Sequence, residues 1–283
     1  MNINWFPGHM KKATDRIQAQ YDQVDLSCEV LDARVPLSSR NRVLEEMTAS
    51  KPRLIILNKA DLADPSKTKD WMDKLRDKDQ CVLALNARDD DFSSLVEKKA
   101  KILCQSMLEK RRQKGLKNRE IRMMVFGIPN SGKSTFINKL SGRKSAKTGD
   151  RPGVTTANQW IKTPTDLLLL DTPGIMVKKM EKTQGLHLSW TGAIKEEVLN
   201  LQEVGYAFLH FLLDHYEEAL VNRYNVPSGL SGLEAMDFIG QKMGAMVGGY
   251  IDYDRVSARL FDDFQKGRLG RISLEEAEDS DET

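Results

Sequence analysis

The 283-residue sequence predicts a doubly wound, mostly parallel α/β sheet followed by an all-helical C-terminal domain. Three observations carry that prediction. Short apolar, β-rich runs that end in polar loops alternate with helical patterns over the first 180 residues. One of these runs leads into the loop GIPNSGKST, residues 127 to 135, which opens a helical pattern. Beyond about residue 180 the strand signals largely disappear. The expected division is therefore 1–180 for the α/β domain and 181–283 for the helical one.

The elements follow in chain order. Pro7 and Gly8 make a break before KKATDRIQAQYDQV, whose Ala13, Ile17 and Tyr21 line one side of a helix. VDLSCEVLDA near 24–33, RLIILNKAD near 53–61, CVLALNA near 81–87, IRMMVFG near 121–127 and DLLLLDTPG near 166–174 read as buried parallel strands running into functional loops. RNRVLEEMTAS suits a crossover helix, further helices are expected over 66–78, 92–113 and 133–141, and QWIK, 159–162, suits an added edge strand. In the second domain Val204, Ala207, Phe208, Phe211 and Leu212 recur at helical spacing, six glycines from Gly229 to Gly249 punctuate the middle, and YDRVSARLFDDFQKG forms another helix. Tyr206, Phe208, Phe211 and Phe238 are expected in the core, and the acidic end is expected to be disordered.

A formal net charge of +2 hides segregation. Basic residues crowd the stretch from Lys98 to Arg122, a second set comprises Arg255, Arg259, Lys266, Arg268 and Arg271, and Glu275, Glu276, Glu278, Asp279, Asp281 and Glu282 end the chain. On charge alone, either basic run reads as a solvated helix face. Cys28, Cys81 and Cys104 lack metal-ligand spacing and read as reduced thiols of a cytosolic protein. The N-terminus lacks the apolar core of a signal peptide, and no apolar run approaches the roughly 20 residues that span a bilayer. A cytoplasmic protein without membrane insertion is expected.

In GIPNSGKST the glycines let backbone N–H groups face phosphate oxygens, and the following helix N-terminus adds a favourable dipole. Asn130, Ser131, Gly132, Lys133, Ser134 and Thr135 form this cradle. Lys133 brings positive charge to the β- and γ-phosphates, and the Ser134 hydroxyl is the expected Mg2+ ligand. Asp171, at the end of DLLLLD, can hold the Mg2+ hydration shell, and Gly174 lets a backbone N–H approach a γ-phosphate. Between them, Thr155 or Thr156 of KTGDRPGVTTANQW completes the coordination in a loop free to swing away, with Thr155 preferred.

Phosphate binding does not choose the base. In NKAD, Asn58, Lys59, Ala60 and Asp61, the Asp61 carboxylate accepts from both N1–H and the exocyclic amine of guanine, whereas adenine would strand it. Asn58 can contact a ring acceptor and Lys59 can lie along the base. Alone, this tetrapeptide reads equally well as a strand's exit turn; its strand, RLIIL, belongs to the same predicted sheet as the phosphate loop. In LNARDD, Asn86 and Ala87 end another strand, and the Ala87 N–H can reach the guanine carbonyl. The site therefore favours GTP with Mg2+ over ATP.

These motifs resemble a translational-GTPase-like G domain in circularly permuted order, with the base loops ahead of the phosphate loop. More narrowly, NWFPGHMKKA, LDARVPLSSRN, NKAD, GIPNSGKST, RPGVT, DTPG and the tail QKMGAMVGGYIDYDRVSARLFDDFQKGRLGRISLE are similar to the bacterial ribosome biogenesis GTPase A family along nearly the whole chain. The resemblance implies GTP hydrolysis in late assembly of the large (50S) ribosomal subunit, stimulated by the particle, with the subunit precursor, its rRNA and its ribosomal proteins as partners. It shifts both basic sets toward rRNA binding. Ile175 stands where many GTPases carry a water-orienting Gln, and the resemblance offers His9 of FPGHM instead; His9 could equally cap or pack on the first helix. In related potassium-activated enzymes an Asn at the position of Asn130 holds K+ beside the phosphates, where here it could also simply stabilise the turn. A monomer is expected. The competing reading is a GTP-binding sensor or RNA-binding module with negligible turnover.

Overall fold

The computed structural model describes residues 15–116, 120–143, 159–176 and 180–278. Six strands form one sheet: β1 (Leu26–Asp32), β2 (Arg53–Asn58), β3 (Gln80–Leu85), β4 (Ile121–Phe126), β5 (Gln159–Lys162) and β6 (Leu167–Asp171). Their spatial order is β3-β2-β1-β4-β6-β5, parallel throughout except for β5, which pairs antiparallel with β6 at the edge. Each strand carries apolar residues on both faces. Leu26, Cys28 and Val30 face one layer of helices, while Leu31 and Ala33 face the other.

The first layer holds α3 (Ser93–Leu103) and α5 (Lys133–Ser141) against β1 and β4, with the Phe92 and Phe136 rings stacked 5.2 Å apart. The second holds α1 (Arg42–Thr48) and α2 (Pro65–Lys74). Both begin where the sequence supplies a cap. Asn41 accepts from the Leu44 N–H, and Asp64 accepts from Ser66 and Lys67 ahead of Pro65 at the first helical position. Ile17 and Tyr21 of the opening helical segment bury against this layer as expected; Ala13 lies outside the described residues. Chain order reverses direction across the sheet between β1 and β4. A crevice therefore opens there, beyond the C-terminal ends of the strands, where open α/β sheets bind ligands.

The helix expected over 92–113 divides at Cys104 into α3 and α4 (Gln105–Gln113), and α4 buries no residue fully. Cys28 and Cys104 are buried free thiols and Cys81 is half-buried. Burial, with Asp25 nearby, pushes the Cys104 thiol up to about 12.

The helical part consists of α6 (Lys182–Trp190), α7 (Leu201–His215), α8 (Glu217–Tyr224), α9 (Gly232–Met243) and α10 (Tyr253–Gln265), with a short hairpin of β7 (Met246–Val247) and β8 (Tyr250–Ile251). Residues just past 180 pack on the sheet: Leu188, Ala193 and Ile194 join Met124, Phe126 and Leu170 in one cluster. The center of the second core is α7 against α10, with the Phe208, Phe261 and Phe264 rings in contact. Gly205 permits that approach, because a Cβ there would lie 2.0 Å from Ser257 Oγ and 2.4 Å from its Cβ. Gly205→Val is expected to cost about 2–3 kcal/mol through overpacking, well above the few tenths gained in helix propensity. A lowered urea midpoint with an unchanged m value is the measurement that checks it.

Three expectations need correction. Tyr206 is 40% exposed, stacking edge-on against His210 at 4.7 Å instead of entering the core. The acidic end is docked through Ala277, with Glu276 paired to Lys67, while residues 279–283 lie outside the described residues. Glu275 is 3% exposed, accepts from the Leu37 and Ser38 N–H groups at 2.6 and 3.0 Å, and meets His187 Nδ1 at 2.9 Å. Those donors offset the cost of burying its charge, which composition alone cannot register. In the second basic set, Arg259 and Arg268 are paired with Asp263, and Lys266 with Asp262. Their charges are partly neutralised within α10 and the turn after it.

Candidate functional site

β4 delivers the chain into the phosphate loop at Gly127, where a Cβ would lie 2.5 Å from the Val30 carbonyl oxygen. The loop then turns through two left-handed residues, Asn130 (φ 60°) and Gly132 (φ 89°). At Gly132 a Cβ would collide with Asn58 Nδ2 at 2.0 Å, so this glycine is required by geometry and by space. Lys133, Ser134 and Thr135 form the first turn of α5, with its N-terminus directed at the crevice. Lys133 is buried and ion-paired with Asp171, at the end of β6. Burial lowers the Lys133 ammonium pKa, and Asp171 opposes that shift.

Gly174 lies against the phosphate loop, where a Cβ would sit 3.1 Å from Pro129 N. Thr172 is fixed to β4 through its N–H and hydroxyl, both donating to the Val125 carbonyl. Asn41 Nδ2 donates to the Ile175 carbonyl at 2.8 Å. DTPG is thereby held at both ends beside Lys133.

The base loop comes from β2, on the opposite side of β1 from the phosphate loop's strand. Lys59 takes a left-handed conformation (φ 59°), and Leu62 N–H closes the turn on the Lys59 carbonyl at 2.9 Å, leaving the Asp61 side chain at the surface. Asn58, 3% exposed, joins three loops: its Nδ2 donates to the Ser131 carbonyl at 2.8 Å and its Oδ1 accepts from the Ala87 N–H at 2.9 Å. The second N–H of the Asn58 amide takes no part in this bridge, and the Ala87 N–H is directed at Asn58 Oδ1. A side-chain amide buried between strand ends satisfies neighbouring backbone groups first. Lys59 Nζ donates to the Asn130 carbonyl at 2.7 Å. Asn86 is engaged in its own loop, donating to Asp89 and accepting from the Arg88 N–H.

Asn130 Nδ2 donates to the Gly192 carbonyl at 2.6 Å, tying the phosphate loop to the turn after α6. His9 and Thr155 lie outside the described residues. Among the described residues no three His, Cys, Asp or Glu side chains cluster as a metal site. Ser134 and Asp171 nevertheless fit Mg2+, which takes a few protein oxygens together with phosphate oxygens and water.

Two functional residues carried no role in the sequence reading. Asp32, the last residue of β1, accepts from Lys59 Nζ at 2.8 Å and from Arg34 Nε and Nη2 at 2.9 and 2.8 Å. Burial alone would raise its carboxyl, but Arg34 and Lys59 hold it well below the usual carboxylate range. Arg34 is itself buried, with its guanidinium 4.6 Å from the Phe264 ring centroid. The available signal was an acidic residue ending a strand in LDARVP, in register with Asn58.

A phosphate loop at the sheet's switch point, joined by Asn58 to a guanine-type loop that precedes it in the chain, defines a circularly permuted P-loop GTPase. Residues 122–223 match a family model described as "50S ribosome-binding GTPase". The chain is 44% identical over 284 residues to ribosome biogenesis GTPase A of Bacillus cereus, covering 99% of this chain and 95% of that protein. It is 41% identical to the Priestia megaterium protein of the same name, covering 100% and 99%. A crystal structure of GNP-bound YlqF from T. maritima, 24% identical, superposes with a TM-score of 0.64 over 94% of this chain and 99% of that one, sharing the fold. The chain belongs to the ribosome biogenesis GTPase A family.

Proposed function

We propose that this GTPase binds the large ribosomal subunit precursor in its GTP form, late in assembly, and leaves after hydrolysis that the particle stimulates. The observation that carries the nucleotide half of this reading is the Asn58 bridge. It makes one site of base and phosphate loops separated by 73 residues in reversed order. Asp61 reads guanine. Lys133 and the loop N–H groups hold the β- and γ-phosphates, and the Gly174 N–H senses the γ-phosphate. Ser134, Thr155 and Asp171 would hold Mg2+ with GTP, which would help neutralise charge on the phosphates.

Ile175 has an alkyl side chain buried in the sheet-face cluster, so water orientation falls to another residue, and His9 takes that role. K+ beside Asn130 would add positive charge to the phosphates. Lys98, Lys110, Arg112 and Lys114 are exposed along α3, α4 and the turn beyond, and contact rRNA phosphates. No helix among the described residues is long and apolar enough to cross a membrane. The protein acts as a cytoplasmic monomer.

Single-turnover GTP hydrolysis with and without purified large subunits, in K+ and in Na+, tests the reading. The particle is expected to accelerate turnover, K+ to exceed Na+, and His9→Ala to lose most of the stimulated rate, roughly 100-fold or more for loss of a positioned acid–base group. Equal rates with and without particles would remove the assembly role. Full stimulated turnover in His9→Ala would remove the histidine.

A further inference from the structure

We infer that residues 272–275, the strap that follows the helical domain, are positioning residues for the base-reading loop and set how strongly the chain discriminates guanine. The inference rests on the reading of Asp61 as the guanine acceptor. The Ile272 N–H donates to the Leu62 carbonyl at 3.0 Å, and Ser273 Oγ accepts from the Asp64 N–H at 3.0 Å. These are backbone groups immediately after Asp61. Leu62 is also confined from the side, since a Cβ on Gly267 would lie 2.6 Å from its Cδ2.

The other end of the same turn is held through the strap as well. Leu274 N–H donates to the Arg34 carbonyl at 2.8 Å, Arg34 grips Asp32, and Asp32 grips Lys59. Asp61 thus stands on a short turn, begun by a left-handed Lys59, that is clamped before and after. A carboxylate that must accept two N–H donors at once depends on such clamping, because small displacements misalign both bonds.

The strap in turn is anchored to the helical part. The Tyr216 hydroxyl donates to the Ser273 carbonyl at 2.9 Å and accepts from the Ser273 N–H at 3.2 Å, while Glu275 meets His187 of α6. Tyr216 is the residue at which the helix pattern of 201–224 breaks into α7 and α8. A partner that moves the α7–α8 junction would therefore change guanine-nucleotide affinity, and nucleotide would change partner affinity by the same factor.

The test uses the full chain and compares dissociation constants for GDP and inosine diphosphate, which lacks the exocyclic amine. Ser273→Ala and Tyr216→Phe keep the fold's volume and are expected to lower the wild-type preference for GDP about fivefold, the size of one net hydrogen bond. Glu275→Gln, whose one carbonyl oxygen at the Oε2 position can still accept from both Leu37 and Ser38, is expected to retain most of the preference. A general loss of stability would weaken both nucleotides alike and leave the ratio unchanged, and that result overturns the strap's positioning role. A wild-type ratio of one would overturn the base-reading role of Asp61, and the strap's role with it.

Discussion

Lys133→Ala will lower kcat for GTP hydrolysis about 100- to 1,000-fold, the range seen when one preorganised donor to a developing oxyanion is removed. The reason lies in placement. Lys133 opens α5, so its ammonium and the helix N-terminal N–H groups point into the same crevice, and its burial keeps water from screening the charge. The substitution also leaves Asp171, 2% exposed, without its ion-pair partner. Losing one member of a buried pair costs about 3–5 kcal/mol, so a depressed Tm in nucleotide-free protein accompanies the rate effect. Single-turnover phosphate release and a thermal melt separate the two. Hydrolysis within threefold of wild type would remove Lys133 from the chemistry.

The second large effect concerns the base. Asp61→Asn turns one acceptor into a donor that faces the exocyclic amine of guanine. Hydrogen bonds to a charged group are worth about 1.5–3 kcal/mol each, so losing one and leaving the other neutral should weaken GDP binding by roughly 10- to 1,000-fold. Xanthine carries a carbonyl where guanine carries the amine. The variant's amide matches it, so xanthosine diphosphate should become the preferred ligand. Because the Asp61 side chain is exposed, the fold should not notice the change. Titrations with GDP and xanthosine diphosphate read the result, and an unchanged GDP affinity would show that Asp61 does not read the base.

The secondary structure was largely legible because its signals are local. Leu26, Cys28 and Val30 alternate with Leu31 and Ala33, strands end at Asp32, Asn58 and Asp171, and caps stand at Asn41 and Asp64. The phosphate loop was legible for the same reason. Its glycines answer to a left-handed turn and a close approach, both demanded within a few residues. Less legible was the division of labour around the base. Asn58 and the Ala87 N–H, candidates for guanine by sequence, also join loops in the folded chain, because a buried amide must satisfy its neighbours. The start of the acidic end misled for a related reason. Its charge suggested disorder, yet Glu275 finds two backbone N–H donors and His187 across separations of 238, 237 and 88 residues.

By itself the sequence determined the order of strands and helices, the phosphate loop, the NKAD loop and their reversed arrangement, since each is written in periodicity or in the steric needs of consecutive residues. The tertiary structure alone decided that Asp32 and Arg34 brace Lys59, that Tyr216 interrupts a helix to hold the strap, and that the end of the chain returns to Leu62 beside the base reader. Those pairings depend on which strand lies next to which. In the order β3-β2-β1-β4-β6-β5, side chains remote in sequence become each other's nearest polar partners.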